Sequence, residues 1–442
     1  MSHEVSTQER SAPLPGDLKS VEETFLSDEF LRQLISVGEI DILVGLPTHN
    51  DAKTIGSVIA AIQDGILQWF PRERAAIINT DAGSRDGTPE LVVSASINDL
   101  RRRASNRHAL RTLHSISTQY GPSVEQGTAL RTILAAAELL RARACVVLSP
   151  QSTTIKPEWL PALLSPIYKD DFDLVLPTYA RHKFEGLLIT NLLYPMTRAL
   201  YGLRIHEPYA QEFAFSGRLG SVFVSQNSWS EDAARAGSQV RLVLGAIAGG
   251  FRVSQSFLGT KPHVERHAAD LVPALRQTIG NLFLSMESHF SFWSTKTGCQ
   301  PVPSTGPEQE FTLDTLRVNR KRLHEMFCSG VSQLESVFQS ILSADTLREL
   351  QNLARLGEND FRYPAELWVR TVYEFAAAHH QAVISRDHIV QALAPLFRGR
   401  AFTFLTENRY SSTSEVEGSI ESLCLEFERL KPYLLEIWNA KK

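Results

Sequence analysis

The chain has 442 residues, with 45 Lys+Arg against 49 Asp+Glu and a formal net charge of −4. At roughly 150 residues per domain this length corresponds to about two or three domains, and 43% hydrophobic with 21% charged residues suffices for a full core. The charge balance excludes a protein built to coat nucleic acid. No run of 18 apolar residues exists to span a membrane, and the first twenty residues lack the apolar stretch of a secretory leader. The expected setting is cytoplasmic. Cys145, Cys299, Cys328 and Cys424 form no CxxC pair and no Cys/His cluster at zinc spacing. Each reads as a structural thiol.

From the N-terminus, residues 1–37 read as a mobile segment. Ile42 to Leu46 then form an apolar run ending at Pro47, the pattern of a buried parallel strand. Ile55, Val58, Ile59, Ile62 and Ile66 follow at helical spacing. A second strand reads Ala75 to Asn79, with a helix after Asp86, and a third reads Leu110 to Ile116. The helix formers of Gly127 to Arg143 lead into a buried strand, Ala144 to Leu148, and a helix opens near Pro157. This alternation predicts an α/β layer fold with a mainly parallel sheet at residues 38–300. Ligands of such sheets sit beyond the carboxyl ends of the strands, so the loops after Leu46, Asn79 and Leu148 become candidate sites.

A long amphipathic helix is predicted from Ala269 to Trp293. Its aromatics Phe283, Phe290, Phe292 and Trp293 read as a packing face between domains rather than a sugar platform. Residues 301–307 lie in a Pro/Gly/Ser-rich linker. The remainder, 308–442, reads as an all-α domain with helices at Phe311–Cys328, Ala344–Arg355, Pro364–Gln381, Arg386–Phe397 and Glu415–Trp438. His379 and His380 read as a partly buried helix end.

Two loops stand out, LPTHNDAKT (Leu46 to Thr54) and NTDAGSRDGT (Asn79 to Thr88). In the second, Asp81 ends a strand, glycines permit a tight turn, and Ser84 or Asp86 suits a helix cap. A carboxylate there can accept hydrogen bonds from a base or ribose. Taken singly, either loop reads as an ordinary strand-to-helix turn.

Together and in this order the loops resemble those of nucleotide-sugar-dependent glycosyltransferases with the GT-A fold. The stretches Gln126 to Leu160, Tyr179 to Leu219 and Gly250 to His263 narrow the resemblance to bacterial synthases of glucosylglycerate and glucosyl-3-phosphoglycerate. The related mannosylglycerate synthases share the plan of a GT-A domain followed by a helical one, and Tyr363 to His380 fits that second domain. The resemblance implies a mainly parallel sheet followed by an all-α domain. It also implies a nucleotide-diphosphate sugar as hexose donor, a small hydroxy acid such as glycerate as acceptor, and Mg²⁺ or Mn²⁺ as cofactor. It places Pro47, Thr48, Asn50, Asp81, Gly127 and Lys261 at the nucleotide sugar, Glu212 as the catalytic or acceptor-side acid, and His263 as a metal ligand.

Three positions depart from that pattern. The Asp-x-Asp metal motif falls on Ser149, Pro150 and Gln151. The lysine of the turn before the Gly127 helix is replaced by Gln126. Of the acceptor-side Gly-Gly-Asp/Glu segment, Tyr209 to Glu212 keeps only the final acid. Ser149 and Gln151 are weak donors for a hard divalent cation. Arg181, Lys183, Arg218 and Lys261 lie in segments expected to face the cleft, where they could supply cations instead. Two readings stand: a hexosyltransferase of the glucosylglycerate type, and a non-catalytic homologue that binds nucleotide or regulates a partner. The apolar helical surface is compatible with a homodimer.

Overall fold

The computed structural model describes residues 26–94, 113–119, 126–225, 239–260, 271–306 and 319–440. Ten strands are described: β1 Ile42–Thr48, β2 Ala75–Asp81, β3 Leu113–Gln119, β4 Ala144–Val147, β5 Leu174–Ala180, β6 Leu203–Arg204, β7 Phe213–Ser216, β8 Val253–Thr260, β9 Gln300–Pro301 and β10 Ser304–Thr305. Eight of them form one sheet in the order β10-β8-β5-β7-β4-β1-β2-β3, and β6 pairs with β9 separately. Only β7 runs antiparallel to its neighbours in the large sheet, inserted between β4 and β5. A mainly parallel sheet followed by helices is the architecture expected from the sequence.

Strand alternation sorts the apolar side chains onto two faces. Ile42, Val44, Leu46, Ala75 and Ile77 pack with the helix Ile55–Trp69, whose Ile55, Val58, Ile59, Ile62 and Ile66 are the predicted stripe. Leu43, Ala76 and Ile78 face the other way, onto the helix Gln126–Leu139. That helix approaches so closely at Gly45 that a Cβ there would lie 2.7 Å from Ile133 Cδ1. Burial of this kind contributes about 25 cal/mol per Å² of apolar surface.

Three expectations are corrected. Within the stretch predicted to be mobile, Asp28–Val37 is a helix, capped by Ser27 Oγ and burying Phe30 and Leu34. The predicted linker contributes β9 and β10, because Ser304 and Thr305 pair in register with Gln255 and Ser256 at the sheet edge. The two predicted domains also share a core. One apolar cluster runs from Leu134 and Phe215 through Phe283 and Trp293 to Trp368 and Trp438. Three aromatics of the predicted stripe lie at the joint: Phe290 stacks on Trp438, Trp293 meets it edge-on, and Phe283 packs on His379, while Phe292 packs on Tyr201.

Helix ends differ from the sequence reading where local breakers or apolar continuity decide. The amphipathic stretch ending at Trp293 breaks at His289. The Arg386 helix runs on to Glu407, carried through Pro395 by the buried Ala401, Phe402, Phe404 and Leu405. The final predicted helix divides at Leu430, with Pro432 in the first turn of the Lys431–Asn439 helix. Buried Lys431 clamps this junction, donating to the carbonyls of Ala199 at 3.0 Å and Lys296 at 2.8 Å. Burial lowers its pKa to about 8. Among the described residues no helix is long and apolar enough to cross a membrane.

Candidate active site

The chain leaves β1 toward β2 and β3 on one side and toward β4, β7, β5 and β8 on the other. The strand order therefore reverses between β1 and β4, and a ligand crevice is expected outside their carboxyl ends. The loops after β1, β2 and β4 meet there.

Asp81 organises the first two loops. Its Oδ1 accepts from Thr48 Oγ1 at 2.8 Å and Ser84 Oγ at 2.6 Å, and its Oδ2 accepts from the amides of Gly83 at 2.9 Å and Ser84 at 2.8 Å. Four donors saturate the lone pairs of one carboxylate, and the residue is fully buried. Asp81 thus shapes the loop rather than presenting its oxygens. Thr48 Oγ1 also lies 2.9 Å from Asn79 Oδ1. Asn50, held with φ at 57°, accepts from the Arg85 amide at 3.0 Å and donates its own amide to Ser84 Oγ at 2.8 Å. Pro47 sits within β1, paired with Thr80. Thr48, Asn50 and Asp81 are therefore brought together in one pair of loops. Gly127 lies in the first turn of the Gln126–Leu139 helix, which follows β3.

Beside the switch point, Asp51 accepts from the His49 amide at 2.8 Å. Burial raises the Asp51 pKa, against the lowering effect of that bond and of the Gln151 side chain. Asp86, exposed, has its pKa lowered, chiefly by the Thr88 hydroxyl. Ser149 is buried and its Oγ accepts from the Gln151 amide at 3.3 Å.

Glu212 is the buried acid of the acceptor side. It stands just before β7, beside the end of β4, and is fully buried. Ser152 Oγ donates to one of its carboxylate oxygens and Tyr179 OH to the other, the latter at 2.6 Å. Burial, reinforced by the Glu212 charge, pushes the Tyr179 phenol well above its ordinary pKa, so it remains a donor. Arg181 crosses the Tyr179 ring at 5.3 Å and pairs with buried Glu207 at 2.8 Å. Ser152, Tyr179, Glu207 and Asp51 were not singled out from sequence. Asp51 lies in the LPTHNDAKT loop, and Tyr179 follows the apolar run 174–176, a strand signal the sequence reading did not use.

The expected cations are distributed differently. Lys261 and His263 lie outside the described residues. Lys183 donates to the carbonyls of Asn408, Arg409 and Ser411, capping the end of the Arg386–Glu407 helix. Arg218 lies at the opposite end of the sheet, paired with Asp173 at 2.6 Å. Both are corrections, since β7 and the helix after it carry Arg218 away from the crevice. Arg181 does sit at the site, engaged by Glu207.

The metal implied by the resemblance does not fit the described donor set. Ser149 and Gln151 are neutral, Glu212 is held by two hydroxyls, and no three His, Cys, Asp or Glu among the described residues converge to hold an ion.

No described protein family and no curated protein matches the sequence. In outline the structure has the mainly parallel sheet and following helices of the GT-A class implied by the resemblance. Solved structures of glucosyl-3-phosphoglycerate synthase from Mycobacterium tuberculosis are similar to it. The complex with Mn²⁺, UDP and glucosyl-3-phosphoglycerate is 22% identical over 58% of this chain and 83% of its own, with a TM-score of 0.41. The complex with Mn²⁺, UDP-glucose and phosphoglyceric acid is 20% identical over 58% and 84%, with a TM-score of 0.40. A further mycobacterial protein is 21% identical over 57% and 77%, with a TM-score of 0.40. Likeness at this level carries no argument about what this chain does.

Proposed function

We propose that the chain is a glycosyltransferase, binding a nucleotide-diphosphate sugar over the β1 and β2 loops and transferring a hexose to a small hydroxy acid such as glycerate. The observation that carries this reading is the buried Glu212 carboxylate beside the switch point, fixed by Ser152 and Tyr179. An acceptor hydroxyl that takes the place of Ser152 or Tyr179 against this buried carboxylate could donate a hydrogen bond, or a proton, to it. Thr48, Asn50 and Ser84, tied together through Asp81 and the loop amides, preorganise the donor side. No step is assigned to a divalent cation, because the donor set among the described residues does not fit one.

A second reading, a non-catalytic homologue that still binds nucleotide or regulates a partner, is favoured by one observation. Of the cations that the sequence reading assigned to the cleft, Arg181 is paired with Glu207 and Lys183 is held by the carbonyls of Asn408, Arg409 and Ser411, while a leaving diphosphate needs positive charge. Titration calorimetry with UDP-glucose and other nucleotide sugars, with and without Mn²⁺, followed by transfer to glycerate or phosphoglyceric acid, separates the two. Binding with sugar transfer supports the first reading, binding without transfer supports the second, and absence of binding across the panel removes both nucleotide-based readings.

A further inference from the structure

At the amino ends of the strands, opposite the crevice, lies a groove of about 730 Å³ that neither functional reading uses. Four arginines line it, Arg141, Arg143, Arg218 and Arg252, with the acids Glu138, Asp171 and Asp173. Three of the guanidiniums rest on aromatic rings: Arg143 at 4.4 Å from the Tyr168 centroid, Arg252 at 4.7 Å from Phe172, and Arg218 at 5.5 Å from Phe251. A ring beneath a guanidinium fixes its plane and leaves its edge N–H groups directed outward, which lowers the entropy lost on capturing an anion.

Acids pair with two of the four arginines, Arg218 and Arg141, and no carboxylate among the described residues pairs with Arg143 or Arg252. Asp173 is 2% exposed and forms the floor. It accepts from Ser216 Oγ at 2.9 Å, from Arg218 Nε at 3.1 Å and Nη2 at 2.6 Å, and from the Arg252 amide at 3.0 Å. Its charge is thereby spent on holding Arg218 and the start of β8 in place. Asp171 and Glu138 are exposed at the rim, and Arg141 turns to Glu39 at 2.8 Å. Among the described residues, the hydrogen bonds of the Arg143 and Arg252 guanidiniums are long ones to carbonyls, at 3.4 Å to Tyr168 and 3.4 Å to Asp171. The helix Gly217–Ser225 also begins at the groove, adding the positive end of its dipole.

From this geometry we propose that the groove binds a small polyanion, carrying two or more negative charges on phosphate or carboxylate groups. Its volume falls in the small-molecule range of roughly 300–1,000 Å³, and Arg forks match both anion types bidentately. The site is remote from the switch point and stands whether or not the chain transfers sugar.

The test is titration calorimetry of the full chain with inorganic pyrophosphate and, separately, citrate, comparing wild type with Arg143→Gln/Arg252→Gln. The expected result is saturable binding of at least one probe, weakened about tenfold or more in the double variant. Its thermal midpoint without probe should stay close to wild type, since both side chains are exposed. Binding of pyrophosphate alone identifies a phosphate ester as the ligand class, and binding of citrate alone a polycarboxylate. Equal binding in wild type and variant, including binding of pyrophosphate at the switch-point crevice, overturns the proposal, as does no saturable binding of either probe. Should the double variant fail to fold, Arg252→Gln alone gives the same readout with a smaller expected loss, and unchanged affinity in it overturns the proposal equally.

Discussion

At the carboxyl ends of the strands the characteristic groups are acids turned inward: Asp81 with four donors, Asp51 accepting from the His49 amide, and Glu212 held by two hydroxyls. The amino ends carry arginines turned outward on aromatic rings, over one buried aspartate. The same sheet therefore supports two electrostatic regimes. Parallel strands send their loops to the carboxyl end, where side chains from distant segments converge and can satisfy one another. The amino end is made of short returns, where long side chains reach solvent and keep donors available. Preorganised acids and presented cations thus occupy opposite ends of one scaffold.

Breaking the amino end through its backbone should have the largest effect. A Cβ at Gly217 would lie 2.1 Å from the Ala142 carbonyl oxygen, so Gly217→Val should cost at least about 3 kcal/mol in urea unfolding as the β7 turn separates from β4. Next comes the carboxyl end. Glu212→Ala leaves the Ser152 and Tyr179 hydroxyls without their acceptor and should cost about 2–3 kcal/mol, with Glu212→Gln recovering part of the loss. Thr48→Val removes one donor from Asp81 and should cost about 1 kcal/mol by the same measurement. The smallest effect is a pH slope at the switch point. Because the folded pKa of Asp51 is raised by burial, the native state holds a proton that the unfolded state releases just above the ordinary carboxylate range. Stability there should fall as pH rises. Asp51→Asn should remove that slope in thermal midpoints recorded across pH 4 to about 6.

Much of the sheet could be read directly because its strands are continuous apolar runs followed by periodic helices, as in Ile42 to Leu46 and Ile55 to Ile66. The site was legible only in part. The Thr48, Asn50 and Asp81 loops announce themselves by position after strands, yet that Asp81 is saturated depends on donors 33 residues away at Thr48 and within its own turn. Glu212 draws its partners from 60 and 33 residues upstream, at Ser152 and Tyr179. Sequence spacing cannot show that four residues, Phe213–Ser216, insert antiparallel between β4 and β5. That insertion places Glu212 at one end of the sheet and Arg218 at the other. Lys183 was misplaced for a related reason, since its acceptors, such as the Ser411 carbonyl 228 residues on, belong to the helical half.

The central claim is that the carboxyl-end crevice is a preorganised nucleotide-sugar site joined to an acceptor acid. It is tested most directly by titrating wild type and Glu212→Gln with UDP-glucose and the rest of the nucleotide-sugar panel, then assaying hexose transfer to glycerate. The account predicts saturable binding of at least one nucleotide sugar in both proteins, with transfer in the wild type that is lost in Glu212→Gln. Absence of binding across the panel in the folded wild-type chain, or transfer that survives Glu212→Gln unchanged, would contradict it.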